Sequence, residues 1–291
     1  MMKKFVLMAF VAFSFIVISC DDDDDDNNLD TLTLNLTGLE DLGADYVYEG
    51  WIIVNGAPVS TGTFSSTTFP QSFVIDENML ESATTFVLTI EPAVDPDPAP
   101  ADTKYLVGDF NGDNANVTTA IVGDFSNSMG TYILATPTDN DNTNEASGVW
   151  WLDNSSGSPV AGLDLPTLPD GWMYEGWAVI NGMPVSTGTF TAVDATDAND
   201  MFSGPVPLPM PNPNGFFPGE DFLINAPAGL TFPTDLSGGT AVISIEPYPD
   251  NSAAPFTLKP LVGVIPANAN VHSPYDMMQN LGSLPSGTVT R

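Results

Sequence analysis

Residues 48–64, Tyr-Glu-Gly-Trp-Ile-Ile-Val-Asn-Gly-Ala-Pro-Val-Ser-Thr-Gly-Thr-Phe, return at 174–190 as Tyr-Glu-Gly-Trp-Ala-Val-Ile-Asn-Gly-Met-Pro-Val-Ser-Thr-Gly-Thr-Phe, identical at 13 of 17 positions. Self-similarity of this kind marks a duplicated unit, so whatever fold the first copy adopts the second has to build again. The echo continues: Phe86-Val-Leu-Thr-Ile-Glu-Pro92 is matched by Ala241-Val-Ile-Ser-Ile-Glu-Pro247, and Lys104 with Leu106-Val107-Gly108 by Lys259 with Leu261-Val262-Gly263. The first block repeats at a spacing of 126 residues and these later ones at 155, which leaves 29 additional residues inside the second copy. What the copies share is the frame of a domain, and where they differ is where a specialised role has room.

Helical periodicity is nearly absent. Short apolar runs alternate with clusters of Gly, Pro, Asn, Asp and Ser roughly every 8–12 residues, the pattern of strands joined by turns. The expected fold is all-β, with two tandem related β-sandwich domains carrying long Pro/Gly-rich loops. The domains are placed at 30–125 and 159–291, with a connecting hairpin at 126–158. In each copy an Asn-Gly pair, Asn55-Gly56 or Asn181-Gly182, follows a β-rich run, and Asn-Gly tolerates the positive φ of a type I′ turn. A tight hairpin is therefore predicted twice. Pro58 and Pro184 lack the donor a central strand needs, which predicts edge strands. Thr131 to Thr136 and Gly148 to Leu152 flank a polar loop and read as one more hairpin. The extra segment of the second copy, about 194–240, holds Pro205-Val-Pro-Leu-Pro-Met-Pro211 and is expected to run as extended chain in a long surface loop.

The N-terminus reads Met1-Met2-Lys3-Lys4, an apolar stretch from Phe5 to Ile18, then Ser19-Cys20 and six aspartates. Positive, apolar and small residues in that order make a secretory signal, assigned to 1–19. The one cysteine of the chain sits at the end of the apolar stretch and resembles the lipobox cysteine of a bacterial lipoprotein, so Cys20 is expected to carry a lipid anchor to the membrane. The acidic tract that follows, 20–29, reads as a solvated tether. With Lys3 and Lys4 in the signal, Lys104, Lys259 and Arg291 face 37 acidic residues. Such a surface repels nucleic acid, and no nucleic-acid partner is expected. The expected location is the outer membrane, at the cell surface. With no second cysteine for a disulfide, the folded part must be held by its own core.

The ordered set Tyr-Glu-Gly-Trp, Asn-Gly-x-Pro-Val-Ser-Thr-Gly-Thr-Phe, Thr-Ile-Glu-Pro, a Pro-rich loop and Leu-Val-Gly resembles the extracytoplasmic C-terminal domain of the anti-sigma-K factor family. The resemblance covers most of residues 30–122 and 160–272. It implies an outer β-domain that senses or binds, with Tyr48, Glu49, Trp51 and Tyr174, Glu175, Trp177 as the repeat motif. The family's sigma-binding helical domain and spanning helix are not read in this sequence, so sigma-factor sequestration is not carried over.

His272 is the single histidine, and one histidine with one cysteine gives neither a triad nor a zinc set. Glu49 and Glu175 beside Trp51 and Trp177 resemble the acid-plus-aromatic arrangement of glycosidases, which keeps a carbohydrate-active or carbohydrate-binding surface protein as the alternative. The primary reading is a non-enzymatic binding, sensing or envelope-interaction module with no cofactor and no metal, its partner an envelope protein or a glycan. Asp109 to Asp113 and Asp139 to Glu145 space oxygen ligands at alternate residues but read as solvated turns. Finally, Lys104 and Lys259 each lie 13 residues after a glutamate, Glu91 and Glu246. If the strands on either side of the Pro-rich loop pair with Glu91 opposite Lys104, both copies hold a cross-strand Glu–Lys pair.

Overall fold

The structure, a computed structural model, describes residues 28–208, 216–249 and 252–291. The signal, Cys20 and nearly all of the tether lie outside the described residues, as do 209–215 of the Pro-rich run. The all-β expectation holds. The first half contains β1 (Leu29–Thr37), β2 (Tyr46–Val54), β3 (Ala57–Phe64), β4 (Gln71–Asp76), one short helix α1 (Glu77–Ser82), β5 (Ala83–Pro92), β6 (Lys104–Asn111) and β7 (Asn114–Thr118). There follow β8 (Met129–Leu134), β9 (Gly148–Trp150), β10 (Leu152–Asp153), β11 (Val160–Ala161), β12 (Leu163–Asp164), β13 (Trp172–Ile180), β14 (Met183–Phe190), β15 (Gly219–Asp221), β16 (Thr240–Pro247), β17 (Leu261–Val264), β18 (Tyr275–Asp276), β19 (Met278–Gln279) and β20 (Ser286–Thr290).

The duplication is visible as topology. One sheet begins β3-β2-β5-β6 and another β14-β13-β16-β17, the same order of equivalent strands. Both hairpins turn through Asn-Gly with positive φ at both residues, 53° and 80° in the first copy and 53° and 82° in the second. These are the angles that exclude most side chains and explain the Asn-Gly pair. Each hairpin carries a bulge at the same place, between Gly50 and Trp51 and between Gly176 and Trp177. Pro58 and Pro184 stand on the edge strands β3 and β14, where a missing donor leaves no ladder bond unmade.

The expected boundaries need correction. The first sheet continues β7-β20-β1-β4, so residues 286–290, assigned to a second domain at 159–291, run antiparallel between β7 and β1 of the first. This sheet curls until its edge strands approach, with the Phe64 ring of β3 5.8 Å from Phe73 of β4. The hairpin expected at 131–152 forms, but it is no connector: β8 and β9 lie in a sheet of order β12-β8-β9-β15. β15 comes from the 29-residue insertion, which was expected to be a surface loop. Instead Phe202, Phe217, Phe222 and Leu223 are buried, and the Phe202, Phe222 and Phe232 rings pack with centroids 5.5–5.9 Å apart. Aromatic content overrode the Pro/Gly content: rings of this size bury too much apolar area to be left in water.

One hydrophobic core runs through both copies. At the seam, Tyr48 stacks on Tyr105 at 6.1 Å, and Tyr105 meets Trp172 at 5.7 Å and Phe256 at 5.5 Å. The Trp172 Nε1 donates to the Lys104 carbonyl at 3.2 Å, and Thr257 Oγ1 to Gly38 O at 3.0 Å. Gly171, at φ 86°, brings its Cα so close that a Cβ there would stand 2.7 Å from the Asp102 carbonyl carbon.

Candidate functional site

Trp51 and Trp177 are buried, 4% and 1% exposed, in equivalent places. Trp51 Nε1 donates to Thr89 Oγ1 at 2.9 Å, and Thr89 Oγ1 donates in turn to the Glu91 carboxylate. In the second copy Trp177 Nε1 donates to Ser244 Oγ at 2.7 Å, and Ser244 Oγ to Glu246. Each glutamate then accepts a backbone N–H from the loop that follows it. Ala101 N reaches Glu91 at 2.8 Å, and Phe256 N, its repeat equivalent, reaches Glu246 at 2.9 Å. Tyr48 and Tyr174 lie on the opposite face, their hydroxyls tying down Glu40 O at 2.9 Å and Pro166 O at 2.6 Å. Glu49 and Glu175 accept from Ser60 and Ser186 of the neighbouring strand. Rings sealed this way offer no stacking face to a sugar, and the two motif carboxylates sit in separate copies on separate sheets. The acid-plus-aromatic arrangement read from the sequence is framework.

The Glu–Lys register is corrected. The ladder already runs one residue off the expected register at Leu88, which stands opposite Leu106, and a bulge between Leu88 and Thr89 adds a second step, so Lys104 stands opposite Thr89. In the second copy Ile243 pairs with Leu261, and the ladder starts only there because Pro260 has no donor. Ile90 N to Thr103 O and Ile245 N to Leu258 O are the equivalent bonds that follow. Glu91 is 1% exposed and spends its charge on Thr89 and Ala101, while burial pushes its carboxyl up from the usual range. Lys104 lies 3.9 Å from Asp102 and donates to Ala101 O at 3.2 Å. Lys259 is half buried and its ammonium is pushed down by burial, partly offset by the fields of Glu40 and Glu246. The glutamates are loop clamps, and in the second copy Glu246 also acts on the ammonium of Lys259. The signal in the sequence was the hydroxyl two residues before each glutamate, Thr89 and Ser244.

The clamped loops are functionally informative because of what they enclose. Residues 92 and 101–103 of the first copy and residues 247–249, 252 and 256 of the second face each other across a cleft of about 770 Å³. Its lining includes Glu40 and Asp41 from the β1–β2 loop, Tyr46 at the start of β2, Asp102, and Tyr248 and Phe256. Phe256 belongs to the buried aromatic seam, whereas Tyr248 is 59% exposed. The cleft therefore has an apolar floor, an aromatic side and an acidic rim, and neither copy could form it alone.

A second acidic region lies in the insertion. Glu220 and Asp221 are fully buried. Glu220 accepts from Ser203 Oγ and from Asp221 N at 2.9 Å. Asp221 accepts from Thr138 N at 2.8 Å, Thr138 Oγ1 at 2.5 Å and Trp150 Nε1 at 2.8 Å. Burial raises these carboxyls to about 8 and about 6, and Asp197, which accepts from Gly219 N at 2.7 Å, to about 7. Smaller cavities beside them are bordered by Leu208 and Phe216, the neighbours of the undescribed 209–215. Among the described residues no group of three or more His, Cys, Asp or Glu is placed to hold a metal ion. His272 sits at the surface with Nε2 3.3 Å from Glu145. In loop 138–146, Asp139 accepts from Asn144 and Asp141 from Thr143.

Compared with known families, residues 25–103 match the model described as anti-sigma-K factor rskA, C-terminal. The match covers β1 to β5 of the first copy and the loop after them; the second copy is tied to the first by the internal repeat and the shared strand order. No curated protein and no solved structure matches the chain significantly. No helix of the described residues is long and apolar enough to cross a membrane.

Proposed function

We propose that the protein is a non-enzymatic recognition or sensing module, held outside the cell membrane by a lipid on Cys20 and exposed at the outer surface, with its ligand seat in the cleft between the two copies. The observation that carries this reading is that repeat-equivalent loops, each pinned by a buried glutamate, form the two sides of one cleft. Pockets concentrate at junctions between folded units, where two surfaces supply a concavity that neither has alone. The match of the first copy to an anti-sigma-K factor C-terminal domain supports a sensing role, and the Ser19-Cys20 junction after an apolar stretch supports the anchor. Binding rather than catalysis is favoured because Glu49 and Glu175 each accept from a serine of the neighbouring strand and the tryptophans beside them are buried.

The test is to screen the full chain, in detergent, against a peptide library and a glycan array, then to repeat the positive probes on Tyr248→Ala. The reading expects at least one probe whose binding depends on the cleft. It is overturned if nothing binds, or if every bound probe ignores the substitution.

A further inference from the structure

Resting on the cleft as the ligand seat, we infer that its occupant is a cationic, extended peptide segment presented by a partner protein. Three features of the cleft converge on this chemistry. The rim carries Glu40, Asp41 and Asp102, and the two lysines of the described residues, Lys104 beside Asp102 and Lys259 in the field of Glu40, offset only part of that charge, so the three carboxylates leave the rim net negative. The half-buried Tyr46 and the exposed Tyr248 line the same cleft, and a guanidinium or ammonium over an aromatic ring face is attracted by the ring quadrupole. The floor, Ile90 and Phe256, is apolar and takes the aliphatic stem of a lysine or arginine, leaving its head at the acidic rim.

The surroundings act in the same direction. Asp41 Oδ1 accepts from Gly43 N at 2.9 Å, which holds the β1–β2 loop with its carboxylate in place. Asp95 and Asp97 follow on the same clamped loop and engage their own backbone, Asp97 N at 2.8 Å and Ala99 N at 3.0 Å. With a net formal charge of −32, the whole molecule draws a cation toward any concavity and repels an anion, which accelerates encounter with a basic segment and disfavours anionic glycans. The aspartate run at 21–26 has the sign of the rim and is a poor occupant.

Fluorescence polarisation of the full chain in detergent, with labelled hexa-arginine as the probe, tests this. Because an acidic protein attracts any polycation, the comparison is between two variants of equal charge, Asp41→Asn with Asp102→Asn at the rim, and Asp153→Asn with Asp235→Asn elsewhere. Tyr248→Ala is exposed and should leave the melting temperature unchanged. The inference expects binding three- to tenfold weaker in the rim variant and in Tyr248→Ala, and within twofold of the parent in the remote variant. It is overturned if rim and remote variants weaken binding equally, which is unlocalised attraction, or if Tyr248→Ala has no effect. It is also overturned if maltohexaose, and not the peptide, binds in a Tyr248-dependent way; that last result would leave the cleft standing as the ligand seat.

Discussion

At the scale of single residues, the duplicated motif is a set of buried hydrogen-bonded side chains whose removal leaves both a hole and an orphan. Trp51→Ala or Trp177→Ala empties a core site, which costs about 3–5 kcal/mol, and frees the hydroxyl of Thr89 or Ser244. Either variant should melt at a clearly lower temperature by calorimetry, whereas Trp177→Phe, which loses mainly the 2.7 Å bond to Ser244, should cost about 1–3 kcal/mol. The insertion offers a different kind of test. Free carboxyls titrate near ~4, but folding holds Glu220 at about 8, Asp197 at about 7 and Asp221 at about 6. Between about pH 4 and pH 8 the folded chain thus keeps protons that the unfolded chain has released. Their stabilisation is complete below that window and is lost as pH rises through it. The melting temperature should be higher at pH 5 than at pH 8, and Glu220→Gln should flatten that slope, keeping an acceptor for Ser203 while its amide N–H turned toward Phe202 N, 3.4 Å from Oε2, lowers stability at every pH. Asp221→Asn should not help at any pH, because both Asp221 oxygens face donors and an amide would set N–H against N–H.

At the scale of elements, the hairpins are the most legible part of the chain. Asn-Gly followed by proline specifies both the turn and the edge, and replacing Gly56 or Gly182 by valine should cost roughly 1 kcal/mol or more, measured by urea melts, because a β-branched residue resists the φ near 80°. Strand pairing was legible in kind but not in register. The bulge at Leu88–Thr89 has no turn residue to announce it; it lies beside Thr89, whose hydroxyl sits between Trp51 of β2 and Glu91 of its own strand, a contact visible only once β2 and β5 are paired. The insertion was misread for a related reason. Its prolines exclude a regular strand over most of its length, but Phe202, Phe217 and Phe222 bury against the β8–β9 hairpin and recruit Gly219–Asp221 as a short strand. Composition described the local backbone, while tertiary burial decided the location. The inter-copy cleft had even less signal, because it arises from two loops 155 residues apart in sequence.

At the scale of the whole molecule, the anchor is tested by Cys20→Ala, which should abolish lipid labelling and leave the chain unprocessed or released; protease shaving of intact cells then checks surface exposure. The assembly of the body itself depends on its last residues. β20 is the link between β7 and β1, and the pair β1–β4 has no other ladder to the first sheet. Val289 is fully buried. Arg291 then donates to the carbonyls of Leu80 at 2.7 Å and Ala83 at 2.7 Å at the end of α1 and to Gly112 O at 3.1 Å, with its guanidinium 4.5 Å over the Phe110 ring. Without this strand the facing edges of β1 and β7 would each lose a row of ladder bonds, and unpaired edges flanking apolar residues such as Leu34 and Val117 favour aggregation. A fragment of residues 28–125 should therefore fail to fold although it contains a whole sequence repeat, and a peptide of residues 284–291 added in trans should restore protected amides on β1 and β7 in hydrogen exchange. The peptide with Val289→Asp should restore none, since a carboxylate cannot occupy that core position at small cost. If 28–125 folds unaided, β20 is an accessory to the first sheet and the two halves are separable units; if it folds only with the peptide, the repeat in sequence and the folding unit in space are different segments of the chain.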